Sequence, residues 1–109
     1  VGACAFSSLA DMPSWLESDD GQAFCRAYAR TRKYMESTPA AEIALAEKPL
    51  FPKIDEAVLA QCIYAYQQMG CWPVEMAITD SGYNAMLDIF EFDGKISQRH
   101  PYESICMRA

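Results

Sequence analysis

The sequence predicts a mainly α fold, with four to five amphipathic helices and one N-terminal strand. Apolar side chains recur three and four positions apart through most of residues 19–107, which is the period of a helix with one buried face. Capping residues precede these segments, and Gly or Pro follows them. The pattern of a short buried strand occurs once, in the apolar residues 1–6. It predicts a strand segment at residues 1–8.

Composition and charge limit the possible functions. Hydrophobic residues make up 51% of the 109 residues and charged residues 22%, a balance typical of one small globular domain. Nine Lys and Arg against fifteen Asp and Glu leave a net charge of −6, which argues against a nucleic-acid-binding domain because phosphate needs a cationic face. No apolar run approaches the roughly 18 residues of a membrane span, and no secretory signal pattern opens the sequence.

The N-terminal residues predict that residues 1–109 are either a single domain or a fragment of a longer protein. The first residue is Val1 rather than Met, and residues 1–6 already have the character of a folded interior. A single strand cannot pair its own backbone N–H and C=O groups, and no later segment offers a partner strand. We therefore expect the pairing partner of this strand to lie outside the chain.

The first predicted helix covers residues 20–36. Asp19 is its expected N-cap, and Gln22 three residues later suits a capping box. The apolar stripe of this helix consists of Phe24, Ala27, Tyr28, Thr31, Tyr34 and Met35. The opposite side carries three cations, Arg26, Arg30 and Lys33. In so acidic a chain a solvated face is favoured over an anion-binding strip.

Two further helices follow in the middle of the chain. Thr38 is the expected N-cap of a helix over residues 40–48, with Pro39 in its first turn and a proline after it as a stop. Asp55 is the expected N-cap of a helix over residues 56–69, which Gly70 ends. The predicted apolar face of this last helix consists of Val58, Leu59, Cys62, Ile63, Tyr66 and Met69.

The C-terminal part contains one long and one short predicted helix. Trp72 precedes a proline in the link before them, where a core position is favoured over stacking on an aromatic ligand. Thr79 or Asp80 begins the long helix, which ends before Gly94. Its apolar stripe consists of Tyr83, Met86, Leu87 and Phe90. Residues 101–107 predict a last helical turn or two.

The cysteines and the single histidine do not predict a catalytic or metal site. The five cysteines, Cys4, Cys25, Cys62, Cys71 and Cys106, have no zinc or haem spacing. Cys25 and Cys62 fall on apolar faces and are expected to pack as small hydrophobes, whereas one disulfide involving Cys71 or Cys106 stays open. His100 precedes a short helix, where a capping or surface role is favoured over a Cys–His nucleophile. We predict no catalytic residue, metal or cofactor. A binding protein is favoured over an enzyme.

The order and spacing of several segments resemble a known C-terminal pattern. These segments are TPAAE (38–42), FPKID (51–55), YQQMGCW (66–72), IT (78–79), GKI (94–96) and PY (101–102). Together they resemble the C-terminal part of ABC-transporter substrate-binding proteins of the nitrate, sulfonate and taurine type. Fungal thiamine-pyrimidine synthases are similar in architecture. The resemblance covers roughly residues 20–105.

The resemblance implies a fold, a function and partners. It implies the C-terminal third of a two-lobed periplasmic-binding-protein (type II) fold, about three times this length in full. Residues 1–8 would then be a hinge strand, with Phe6, Ser7 and Ser8 nearest the ligand cleft. The expected function is to bind a small nitrogen- or sulfur-containing solute by hinge closure and deliver it to an ABC permease. The partners would be that solute, the remaining lobes of the parent chain and the permease.

Two alternative functions and two locations stay open at this point. The chain could instead be part of a thiamine-pyrimidine-precursor synthase-like enzyme on the same scaffold, or a small helical interaction domain. The resemblance implies a periplasmic or extracytoplasmic location. Five cysteines are better suited to a reducing compartment, so a cytoplasmic location is the alternative.

Overall fold

The computed structural model describes residues 8–106, and this range is mainly α-helical. The elements are α1 (Pro13–Leu16), α2 (Asp19–Ser37), α3 (Ala40–Glu47), a 3-10 turn (Lys48–Leu50), α4 (Glu56–Gln68), α5 (Asp80–Phe92) and α6 (Tyr102–Ile105). The predicted mainly α fold is confirmed over this range, which contains no strand. Except for Ser8, the strand predicted at residues 1–8 lies outside the described residues. None of the described helices is long and apolar enough to cross a membrane.

The described chain divides into two compact units. The α3–α4 unit comprises Pro13–Glu75 and contains α1 to α4. The α5 unit comprises residues 8–12 and 76–106 and contains α5 and α6. Each unit has its own buried residues, so each is considered separately below.

The start of α2 is capped one residue earlier than the sequence predicts. Ser18 is the N-cap, and its hydroxyl accepts a hydrogen bond of 3.1 Å from the backbone N–H of Gly21. Asp19, the predicted cap, is instead the first helical residue, where its carboxylate suits the helix dipole. Gly21 is buried against α1, and a Cβ added there would lie 2.1 Å from the carbonyl oxygen of Trp15. The close contact between α1 and α2 therefore requires glycine at this position.

The junction between α2 and α3 also differs in detail from the prediction. Thr38, the predicted N-cap of α3, ends α2 by donating its backbone N–H to the carbonyl of Tyr34 at 2.9 Å. Pro39 takes the cap position of α3 without a side-chain hydrogen bond. The chain after α3 tightens into the 3-10 turn, which contains Pro49. Helices α2 and α3 form as predicted, and their boundaries differ from the prediction by one residue.

The core of the α3–α4 unit lies where α3 packs against α4. Its buried residues are Ile43, Ala44, Leu59 and Ile63, and the partly buried residues packed around them include Met35, Ala40, Ala60 and Trp72. The predicted core position of Trp72 is confirmed, and its ring lies edge-on to Tyr66 with centroids 5.5 Å apart. The side-chain amide of Gln67 donates to the carbonyls of Met35 and Thr38 at 2.7 and 2.8 Å. These bonds join the end of α2 to α4.

The predicted apolar face of α4 is wider than the face that α3 covers. Leu59 and Ile63 are buried, whereas Val58 is 49% exposed and Met69 65% exposed. Cys62 is exposed as well, so its predicted packing as a small hydrophobe is wrong. One helix of eight residues can bury only one stripe of its neighbour, and the second stripe of α4 faces away from it.

Replacing Asp55 with Ala is expected to lower the free energy of unfolding by about 1 kcal/mol, because α4 loses its predicted N-cap. The carboxylate of Asp55 accepts hydrogen bonds from the backbone N–H groups of Ala57 and Val58, at 2.9 and 3.3 Å. Asp55→Asn keeps a side-chain oxygen in place and is expected to retain most of this stability. Urea unfolding followed by circular dichroism measures both variants. An Asn variant as unstable as the Ala variant would contradict capping by the hydrogen bond.

Candidate functional site

The candidate site is an apolar cavity of about 250 Å³ in the α5 unit, which we call the α5 cavity. Its walls are formed by Ser8, Ile78, Tyr83, Met86, Leu87, Phe90, Ile105 and Cys106. Ser8 is the one predicted site residue within the described range, and it lies on this wall. The other two, Phe6 and Ser7, lie outside the described residues. A cavity of this size can accommodate a ring-sized apolar molecule.

One wall of the α5 cavity is the apolar stripe of α5, as its sequence pattern predicts. Thr79 caps the helix, with its hydroxyl accepting a bond of 3.0 Å from the N–H of Gly82. From that start, four apolar residues three and four positions apart share one side of α5, namely Tyr83, Met86, Leu87 and Phe90. Met86 is buried, while Phe90 at the far end stays 41% exposed. The cavity therefore opens toward solvent along part of the helix.

The opposite wall comes from the segment around α6, which two tyrosines hold against α5. The hydroxyl of Tyr102 donates to the carbonyl of Ile78, and the hydroxyl of Tyr83 donates to the carbonyl of His100 at 2.9 Å. The two rings meet edge to face, with centroids 5.7 Å apart. The backbone carbonyl of Tyr102 accepts a hydrogen bond of 2.8 Å from the backbone N–H of Cys106. Cys106 is thereby held at the cavity wall. The sequence analysis did not predict this wall. Its only sign in the sequence is the pair PY (101–102) directly before a short predicted helix.

A surface ion-pair cluster fixes the segment before α6 on the polar side of α5. The guanidinium of Arg99 donates to Asp88 at 2.6 Å and to Glu91 at 3.0 and 2.5 Å. These hydrogen bonds raise the pKa of Arg99 above its ordinary value, and the bond to Glu91 has the largest effect. The cluster is exposed, so its ion pairs contribute little to stability. Their main effect is to position the segment before α6. His100 is exposed beside it, which agrees with the predicted surface role.

The thiol of Cys106, at the α5 cavity, has a pKa above its ordinary value. Partial burial raises its pKa, and the carboxylate of Asp80 raises it further. The thiol therefore stays protonated at neutral pH and is a poor nucleophile. The disulfide left open for Cys71 or Cys106 is not formed, since both are free thiols. No cluster of metal-ligating side chains occurs among residues 8–106.

The Cys106 thiol is expected to react with iodoacetamide more slowly than the exposed thiol of Cys71 in the native protein. Only the thiolate reacts, so a raised pKa lowers the reactive fraction at every pH below it. The difference should shrink as the pH rises past the pKa of Cys106. Peptide mass spectrometry after timed alkylation measures both rates, and urea-unfolded protein is the control in which they converge. Equal native rates at neutral pH would contradict the raised pKa of this partly buried thiol.

The cationic side of α2 matches the solvated face that the sequence favours. Arg26, Arg30 and Lys33 are all exposed. The contacts of Arg32 are different, because its guanidinium lies 5.4 Å from the ring centroid of Tyr28 and donates to the carbonyl of Pro73 at 3.0 Å. This arginine joins α2 to the link after α4. No buried cationic pocket for an anion forms on this helix within the described residues.

The comparisons with known proteins return no relatives. No protein-family model matches the chain, and neither a curated protein nor a solved structure is significantly similar to it. The described range is mainly helical, and its function is inferred below from its own residues.

Proposed function

We propose that the chain is the C-terminal portion of a solute-binding protein that serves an ABC importer. The remaining lobes of the parent chain would cover its helices, and hinge closure would trap a small nitrogen- or sulfur-containing solute. The order and spacing of its segments from residue 20 to 105 support this assignment. In this role the chain supplies structural support and one hinge-side residue, Ser8, which is exposed and lines the α5 cavity.

The observation that carries the proposal is the amount of large apolar side chain left in water. Among the described residues, eighteen large hydrophobic residues are exposed, whereas six hydrophobic residues are buried. Phe92 is 96% exposed, Leu50 75% and Leu45 64%. Single exposed hydrophobics are normal, but an excess of them over the core marks a surface that another protein surface covers. The missing lobes of a parent chain would supply that cover.

A small helical interaction domain is the second candidate, and the same exposed residues favour it. In that case the cover would be a separate protein rather than the same polypeptide. The free thiols of Cys25, Cys62, Cys71 and Cys106 suit a reducing compartment, whereas the importer function implies an extracytoplasmic one. The two candidates therefore differ in the length of the parent chain, in its location and in whether a small solute binds.

The first experiment compares the intact mass of the natural protein with the 109 residues of this chain. A parent about three times as long is expected, since the resemblance implies that this chain is the last third of a two-lobed protein. The purified parent is then screened by thermal shift against nitrate, taurine and alkanesulfonates. A raised midpoint with one of these solutes supports the importer function. A natural protein of this length that binds none of them contradicts it and favours the interaction domain.

A dye-binding comparison tests the exposed apolar surface directly. The hydrophobic dye ANS is added to the 109-residue chain and to the longer parent at equal molar concentration. The chain alone is expected to give the greater fluorescence per mole, because the parent lobes cover residues such as Leu45 and Phe92. Phe92→Ser in the chain should reduce the signal, and Lys95→Ser is the exposed control that should not. Equal fluorescence for chain and parent would contradict cover by the parent lobes.

A further inference from the structure

The outer side of α4 is a helix surface without charge. Glu56 begins the helix, and the next charged residue in the sequence is Glu75. On the side away from α3, Val58 and Met69 are 49% and 65% exposed, and Cys62 and Ala65 between them are exposed too. Helix faces that stay in water usually carry charged side chains. This one is apolar in a chain with 22% charged residues, which indicates that another surface covers it.

The exposed residues form a single line along α4, which we call the α4 seam. It consists of Val58, Cys62, Ala65 and Met69, whose spacings of four, three and four are those of the core positions of a coiled coil. Such residues lie one above another on one side of a helix. The seam is distinct from the stripe of Leu59 and Ile63, which α3 covers.

The order of side-chain sizes along the α4 seam is the same in both directions. Val58 and Met69 are large and lie at the ends, whereas Cys62 and Ala65 are small and lie in the centre. An antiparallel copy of the same seam would place Val58 against Met69 of the second copy at both ends. The small central residues would then face each other and allow the helix backbones to approach closely. A two-fold symmetric pair requires this kind of self-complementary surface.

We propose that the α4 seam pairs with the α4 seam of a second copy of this chain, antiparallel about a two-fold axis between Cys62 and Ala65. Charge does not oppose a second copy at this surface. Two chains of net charge −6 repel each other over most of their surfaces, and the uncharged seam is where they can approach without facing carboxylates. Gln61 and Gln68 flank the seam on one side and can donate hydrogen bonds across it without adding charge.

This inference goes beyond the proposed function and does not depend on it. The exposed residues that the parent lobes would cover include Leu45, Leu50 and Phe92, which lie outside α4. Pairing through α4 can therefore fail while solute binding by the parent stands, and the reverse also holds. The seam is small, so the dimer is expected to be weak and concentration-dependent.

Single-cysteine variants test the geometry of the pair. In a chain whose other four cysteines are replaced by Ser, the two copies of Cys62 lie about 4.5 Å apart along the helix axis. A short bis-maleimide, which adds each thiol across one of its double bonds, should join them into a covalent dimer. A variant that retains only Cys71, which is also exposed, is the matched control and should give little cross-linked dimer. Val58→Cys in the cysteine-free chain should give none, because its copies lie about 16 Å apart.

A matched pair of charge variants tests the energetics. Ala65→Glu places a carboxylate at the centre of the seam and is expected to raise the dimer dissociation constant by about ten-fold or more. Ala57→Glu is the same substitution on the same helix, but it lies about a third of a turn from the seam and should change little. Sedimentation velocity over a concentration series measures both, with circular dichroism as the check that each variant folds.

Three outcomes would overturn the pairing. The chain could stay monomeric over the whole series, with no cross-link through Cys62. It could dimerise without loss in the Ala65→Glu variant, which would place the contact on another surface. Cross-linking of Val58→Cys would show a parallel arrangement in place of the antiparallel one. A dimer that cross-links through Cys62 and weakens with Ala65→Glu alone supports the pairing.

Discussion

Replacing Ile43 with Ala is expected to lower the free energy of unfolding of the α3–α4 unit by about 2–5 kcal/mol. Ile43 is 0% exposed and is the largest fully buried side chain among the described residues. Its removal loses apolar burial and leaves a cavity between α3 and α4 that the small core can fill only in part. Urea unfolding followed by circular dichroism gives the change as a shift of the midpoint.

Leu45→Ala is the matched control for this core prediction. Leu45 lies on the same short helix and loses a side chain of the same size, but it is 64% exposed. Its free energy of unfolding should change by no more than about 0.5 kcal/mol. The pair therefore separates core packing from helix propensity, which favours Ala in both variants. A larger loss for Leu45→Ala than for Ile43→Ala would place the core of this unit on the other side of α3.

Replacing Tyr102 with Ala is expected to cost about 3–5 kcal/mol of stability in the α5 unit. Tyr102 is 8% exposed, packs edge-on against Tyr83 and donates its hydroxyl to the carbonyl of Ile78. Its loss should release the wall of the α5 cavity that carries Cys106. Faster alkylation of Cys106, read by mass spectrometry, reports that release independently of global unfolding.

Two variants separate the contributions of Tyr102. Tyr102→Phe keeps the ring and removes only the hydrogen bond, so about 1–2 kcal/mol should be lost. Ile105→Ala lies on the same short helix but at a position 61% exposed, and its effect on stability should be small. If Tyr102→Phe cost as much as Tyr102→Ala, the hydrogen bond rather than the ring would hold the cavity wall.

The α5 cavity and the α4 seam have different consequences for function. The cavity is concave and mostly apolar, and Ser8, a predicted site residue, lies on its wall. The seam is a convex helix face, which suits another protein surface. They belong to different units of the chain, so substitutions at the seam are expected to leave the cavity intact. Self-association can therefore be measured on seam variants whose cavity residues are unchanged.

Local sequence patterns predict helices α2 to α5 and the caps of α4 and α5. Asp55 and Thr79 cap α4 and α5 as predicted, because a side-chain oxygen bonding an N–H two or three residues later needs no distant partner. Gly70 and Gly94 follow these helices with φ of 67° and 68°, a conformation that glycine adopts without strain. Ser18 was missed as the cap of α2 because three neighbouring residues there all suit a cap.

Which side of each apolar helix is buried depends on tertiary packing and is not visible in the local sequence. Leu59 and Cys62 lie on one predicted face of α4, yet α3 covers the first and leaves the second in water. The α5 cavity likewise depends on Tyr102, which the structure brings to Ile78 from 24 positions away in the sequence. Periodicity reports that a face is apolar, and burial depends on which distant segment packs against it. Local hydrogen bonds are therefore visible in the sequence, whereas the site and the exposed seam are not.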